Sequence, residues 1–259
     1  MAKLFSCFLF ILLLAVAAAL STEPPRPVQQ SAQQQPNRRG FLSASLGFVV
    51  TATGAATFVP PPACAFENKI SDKYDDRPKR RGPQPKDLGI GVRTTLEGDE
   101  YVGLKSCGAA PNCFSSTISL DDDADHSIPP WSWPDSLENQ QAAFEELRDV
   151  LMAYKPGQNG VDGGGFEMKT FDPVNGYIYV QFEALKNGYI DDVELAVIPG
   201  RKEERTVHVR SSSRIGYLDF GVNGKRLNYI ANALRAKGWK AEGVNPKTHA
   251  FYMSENERM

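Results

Sequence analysis

The sequence contains few of the residues that catalysis and metal binding require. It has three histidines, His126, His208 and His249, and no pair of them is spaced as metal ligands. There is no G-x-S-x-G and no H-E-x-x-H. The one glycine-rich stretch, "GQNGVDGGG" at 157–165, lacks the Lys-Ser/Thr ending of a phosphate loop and reads as a linker. Excess positive charge is also missing. The chain carries 29 Lys and Arg against 31 Asp and Glu, a balance that argues against general nucleic-acid binding. From residue 66 onward no apolar run is long enough to span a membrane. No motif calls for a cofactor.

What the chain does have begins with an address. Residues 1–20, "MAKLFSCFLFILLLAVAAAL", have a basic start, an apolar run and small residues at the end, the pattern of a secretory signal peptide. Residues 21–36 are rich in Gln, Pro and Ser and poor in acids, which suits a transit segment. Residues 37–65 then open with Arg38-Arg39 ahead of Phe41-Leu42 and close on Ala63-Cys64-Ala65, a twin-arginine-type signal with an A-x-A cleavage site. Three signals in this order predict a thylakoid lumen, in a complex, secondarily acquired plastid. Lys3, Arg26, Arg38, Arg39 and Glu23 fall before residue 66, so the mature part keeps 25 basic and 30 acidic residues, a net −5.

Of four cysteines, Cys7 and Cys64 leave with the signals. Cys107 and Cys113, in "CGAAPNC", remain. In an oxidising lumen this spacing reads as a structural disulfide, with a thiol switch as the other reading. His126 alone is too little to complete a zinc site.

Residues 66–100 are polar and Pro-broken and predict a flexible arm. Its basic knot, Arg77, Lys79, Arg80 and Arg81, reads as a solvated linker or, more sharply, as a docking strap for an acidic surface. A domain over 101–240 follows, with a tail at 241–259. A helix is expected from the spacing of Leu137, Phe144, Leu147, Leu151 and Tyr154, after a capping box at Asp135 and Glu138. Trp131 and Trp133 in "IPPWSWPD" read as core-edge packing or as a partner anchor.

Four strands are expected at 165–171, 176–186, 189–198 and 205–214. A two-residue turn at Asn187-Gly188 would set Lys186 opposite Tyr189. Phe182 then faces Val193, Val180 faces Leu195, and Ile178 faces Val197. On the other side Glu183 lies opposite Asp192, Gln181 opposite Glu194, and Glu194 opposite Arg210. Facing carboxylates need a cation, and Arg210 is the nearest candidate. A last helix begins near Asn223 as N-cap, with Val222 and Leu227 as a staple. The expected architecture is α+β, a four-stranded antiparallel sheet with helices packed on one face.

Three blocks, "CGAAPNCFSS" (107–116), "YIDDVELAV" (189–197) and "VHVRSSSRIGYLDFGVNGKRL" (207–227), resemble the family catalogued as domain of unknown function 1499. The resemblance covers about residues 104–238 and implies a fold without an assigned activity.

Two candidate sites follow from the residues. Asp192, Glu194, His208, Arg210 and Arg214 share one strand face that a polar ligand or partner could use, or that forms a solvated salt-bridge ladder. Gly221, Asn223, Lys225 and Arg226 gather at a helix start and make a possible anion site, unless they do no more than cap the helix. An acyl-transfer set of Ser212, His208 and Asp192 can also be drawn. The expected function is a non-enzymatic lumenal binding or auxiliary factor that docks on a photosynthetic membrane complex through the charged sheet face. The alternatives are a small polar-ligand-binding or enzymatic domain on that face, or a thiol-regulated protein.

Overall fold

A hairpin and a mixed sheet–helix body make up the described structure. It is a computed structural model that describes residues 66–95, 98–119, 121–200 and 205–257. The three address segments, 1–20, 21–36 and 37–65, lie outside the described residues. The hairpin pairs β1 (Gly91–Thr94) with β2 (Glu100–Gly103). Two short strands follow, β3 (Cys113–Ser115) and β4 (Trp131–Ser132), then helix α1 (Gln140–Met152). Four long strands come next, β5 (Gly165–Asp172), β6 (Tyr177–Glu183), β7 (Ile190–Ala196) and β8 (Thr206–Ser213). Helices α2 (Val222–Arg235) and α3 (Ala250–Glu257) end the chain.

The main sheet is antiparallel and six-stranded, in the order β3-β8-β7-β6-β5 with β4 also on β8. The class is α+β as expected, but the strand count corrects the expected four. Strands of two and three residues carry no readable alternation, and β3 and β4 are of that length. The four long strands fall within a few residues of the expected spans.

The register corrects the expected turn. Ala184 N donates to Tyr189 O at 2.9 Å and Gly188 N to Ala184 O at 2.9 Å, so the turn enclosed by Ala184 and Tyr189 holds four residues, 185–188. Gly188 sits at φ 66, where a side chain is strained. Phe182 therefore pairs with Asp191, Val180 with Val193 and Ile178 with Leu195. The shift is two residues, and side chains alternate with period two, so each residue keeps its expected face. The pairs Glu194–Arg210 and Leu195–Val209 form as expected.

One face of the sheet carries the core. Ile178, Val180, Phe182, Val193, Leu195, Val207 and Val209 pack against Phe144, Leu147 and Leu151 of α1 and Leu227, Ile230, Ala231 and Leu234 of α2. Each such side chain contributes about 1.5–3 kcal/mol when fully buried. The cap of α1 is Asn139, whose Oδ1 accepts from Ala142 N at 2.9 Å; the capping box expected at Asp135 is instead a turn closed by Leu137 N on Pro134 O. Trp131 and Trp133 are buried, and Trp131 Nε1 donates to Glu242 O. The expected tail is not a tail. Ala241, Val244 and Tyr252 belong to the core, and the Tyr252 ring meets Phe114 edge-on at 4.7 Å.

Candidate functional site: a charged sheet face under an arm

The face away from the helices carries Tyr177, Tyr179, Gln181 and Glu183 of β6, Asp192 and Glu194 of β7, and His208 and Arg210 of β8. The sequence reading left this face open to solvent. It is covered instead: Glu183 and Glu194 are 0% exposed, Asp192 and His208 1%, and Arg210 6%. Over Glu183 and Glu194 the cover is the arm that was expected to be a flexible linker. A row of buried carboxylates requires cations and donors, and the arm supplies them.

Arg81 donates from Nε to Glu183 Oε2 at 2.9 Å and brings Nη2 to 2.6 Å, while Lys79 Nζ lies 3.9 Å from Oε1. Gly89 N donates to Glu194 Oε1 at 2.6 Å. Main-chain bonds complete the seat: Arg80 N to Asn187 O at 2.7 Å and Ile70 N to Gly163 O at 3.0 Å. The glycine-rich stretch at 157–165 is thus more than a linker, because the arm packs against it. A Cβ on Gly165, at φ 91, would stand 2.3 Å from Asn68 Oδ1, which accepts a bond from Phe166 N.

The remaining charges on this face are paired within the sheet. Glu194 accepts from Tyr177 OH at 2.8 Å and from Arg210 Nη1 at 3.3 Å. Asp192 accepts from Tyr179 OH at 2.6 Å and from both Nε and Nη2 of Arg214. Burial, then the bond to Asp192, pushes the Tyr179 hydroxyl up to about 12. Burial, then the charge of Glu194, raises Tyr177 as well. The cation expected to serve Glu183 and Asp192 was Arg210. The two-residue shift moves Glu183 away from Asp192 to stand opposite Ile190; Arg210 stays with Glu194, Arg214 serves Asp192, and Glu183 is left to the arm.

The acyl-transfer set does not assemble. Ser212 stands opposite Asp192, but His208 stands opposite Ala196. Four residues along one strand put His208 about 13 Å from Ser212.

The expected anion site is also closed. Arg226 is fully buried and pairs with Asp162 and Asp191, the latter at 2.7 Å, with its guanidinium over the Phe182 ring. Burial alone would lower its pKa; the two carboxylates outweigh that and hold it well above the ordinary value. Asn223 is not an N-cap but a buried bridge that accepts from Ser211 Oγ and Arg226 Nη1. The helix amides are taken by Asp219, which accepts from Gly221 N at 3.0 Å and Asn223 N at 2.8 Å. Gly221, at φ 76, is the cap position, and only Lys225 of the four remains exposed.

Cys107 and Cys113 form the disulfide, with Cα atoms 5.6 Å apart. The loop it closes docks on α2: Asn112 O accepts from Ser213 N and Asn223 Nδ2, and Pro111 O accepts from Asn256 Nδ2. Among the described residues no cluster of three or more His, Cys, Asp or Glu could hold a metal ion, and no helix is long and apolar enough to cross a membrane.

Sequence reasoning missed Asp162, Asp191 and Asp219; Asp162 lies in the glycine-rich stretch, Asp191 on β7 and Asp219 in the loop ahead of α2. It did mark Arg81 and Glu183, each without its partner. The family described as "Protein of unknown function (DUF1499)" matches residues 103–234. No curated protein and no solved structure matches the chain.

Proposed function

The chain belongs to the DUF1499 family, and we propose that it is a non-enzymatic binding protein of the thylakoid lumen. It acts there as an auxiliary or assembly factor of a membrane complex, with the charged sheet face and the basic arm as its recognition elements. One observation carries the binding reading: Glu183 and Glu194 hold the arm, one through an arginine side chain and one through a main-chain amide. Carboxylates paired with guanidinium and backbone donors serve recognition. The separation of His208 from Ser212 favours this reading over acyl transfer. The lumenal address rests on the three ordered signals in residues 1–65, and a disulfide suits an oxidising compartment.

The test is localisation followed by association. The full-length protein, tagged at its C-terminus, should be found in the lumen and should co-purify with thylakoid complexes after a mild salt wash. Recovery as a free soluble species alone would overturn the auxiliary role.

A further inference from the structure

We infer that the arm is an in-chain occupant of a peptide-recognition face, and that it gives way to an extended, basic segment of a partner protein. The inference rests on the binding reading above and names its ligand class and its control.

Glu183 is the first reason. Asp192 and Glu194 have cations within the sheet, in Arg214 and Arg210. The cations on Glu183 are Arg81 and Lys79, both from the arm. The carboxylate is therefore aimed at whatever occupies the face. The second reason is how the arm is held. Its main chain is read by Asn187 O, Gly163 O and the Glu194 carboxylate. Such contacts ask for a backbone with amides free of helix and sheet and a basic side chain at one place, and leave the rest of its sequence free.

The third reason is that the arm is bound without being part of the core. The buried apolar residues begin at Leu104, and Ile70 of the arm is 54% exposed. A segment held by polar contacts opens at a lower free energy than the body it covers. The fourth is the extent of the family match, which starts at residue 103. The charged face lies inside that span and its cover lies outside, so the face is a property of the domain and the cover an addition to it. A tethered segment competes at an effective concentration of about millimolar, so the arm sets a threshold that a partner must exceed.

The experiment uses the processed chain from Phe66 and a fluorescent synthetic peptide of residues 77–92. Hydrogen exchange in the unaltered chain comes first. The amides of Ile70, Arg80 and Gly89 should exchange about 100-fold faster than those of Val180 and Val193, through local opening. Replacing Lys79 and Arg81 with Ala together should tighten peptide binding about tenfold, by fluorescence anisotropy, because the competitor is weakened. Adding Glu183→Gln should remove that gain. Arm amides that exchange only with the sheet, or an arm variant with no gain in peptide affinity, would overturn the inference. A concentration-dependent dimer without that gain would assign the face to self-association and overturn it too. Loss of co-purification with membrane complexes, while exchange and peptide binding behave as stated, would sink the lumenal auxiliary role and leave the arm's exchange intact.

Discussion

On the helix side of the sheet, Arg226 is enclosed by Asp162, Asp191 and Asn223, all within 65 residues of it in sequence and all inside the family-matched span. On the other side, Glu183 is just as deeply buried, yet its cation comes from 102 residues away and from outside that span. The two sets are alike in chemistry and differ in what they secure. A buried pair assembled from neighbouring elements is inseparable from the fold. A buried pair shared with an arm that has no place in the core ties one segment down and can be undone without unfolding the rest. The charged residues on the two faces of one sheet thus do different jobs, and substitutions should separate them.

The largest effect should come from Arg226→Met. It strands Asp162 and Asp191 without their cation, and loss of one partner from a buried pair costs about 3–5 kcal/mol. Urea unfolding should show this loss as a single cooperative transition. A loss no greater than that of an exposed pair would mean the helix-side cluster is not what holds α2.

Removing the disulfide should come next. Cys107→Ser with Cys113→Ser should cost about 2–2.5 kcal/mol in the chain-entropy account, read from the same urea transitions. The harm should fall on the helix side, where the loop carbonyls hold Asn223 and Asn256. Equal sensitivity of the arm to trypsin with and without the bond would confirm that the two sides are independent.

Arg81→Met should cost about 1 kcal/mol of global stability, because Glu183 can hydrate once the arm lifts. Its main readout is proteolysis: trypsin should cut the arm at Lys79 and Lys86 faster, while the urea slope stays unchanged. If that variant unfolds as cooperatively and as far as Arg226→Met, the contrast between the faces fails.

The smallest effect sharpens the picture at the start of α2. Burial raises the Asp219 carboxyl above its usual 3.8. The folded state then holds that proton more tightly than the unfolded state. The stability it lends is present below 3.8 and is lost as pH rises through the raised value. Asp219→Asn should flatten the stability profile from about pH 4 upward, measured as urea midpoints. An unchanged slope would assign that part of the profile to other groups.

The faces of the sheet were legible from sequence because alternation survives a two-residue error in register. The partners were not. A longer turn than the expected two residues moved Glu183 from opposite Asp192 to opposite Ile190 while leaving it on the expected side. The arm's seating was illegible for another reason. It is bound by polar side chains and main-chain amides, and neither leaves a hydrophobic period in the sequence. The basic knot and the need of Glu183 for a cation were both visible, but nothing local joined residues 102 apart. Asp191 was read as one more residue on a strand, although its place beside Val193 put it among the helices. The C-terminal residues looked like a tail because Ala241 and Val244 pack from an irregular stretch that shows no stripe.

The distance between Arg81 and Glu183 also fixes an order of assembly. The arm leaves the ribosome well before its seat exists, and closing so long a loop early would gain nothing until β6 and β7 have paired. The hairpin between those strands must therefore come first, and the segment made earliest docks last. Until then its cluster of arginine and lysine travels uncovered, free to meet other acidic surfaces on the way.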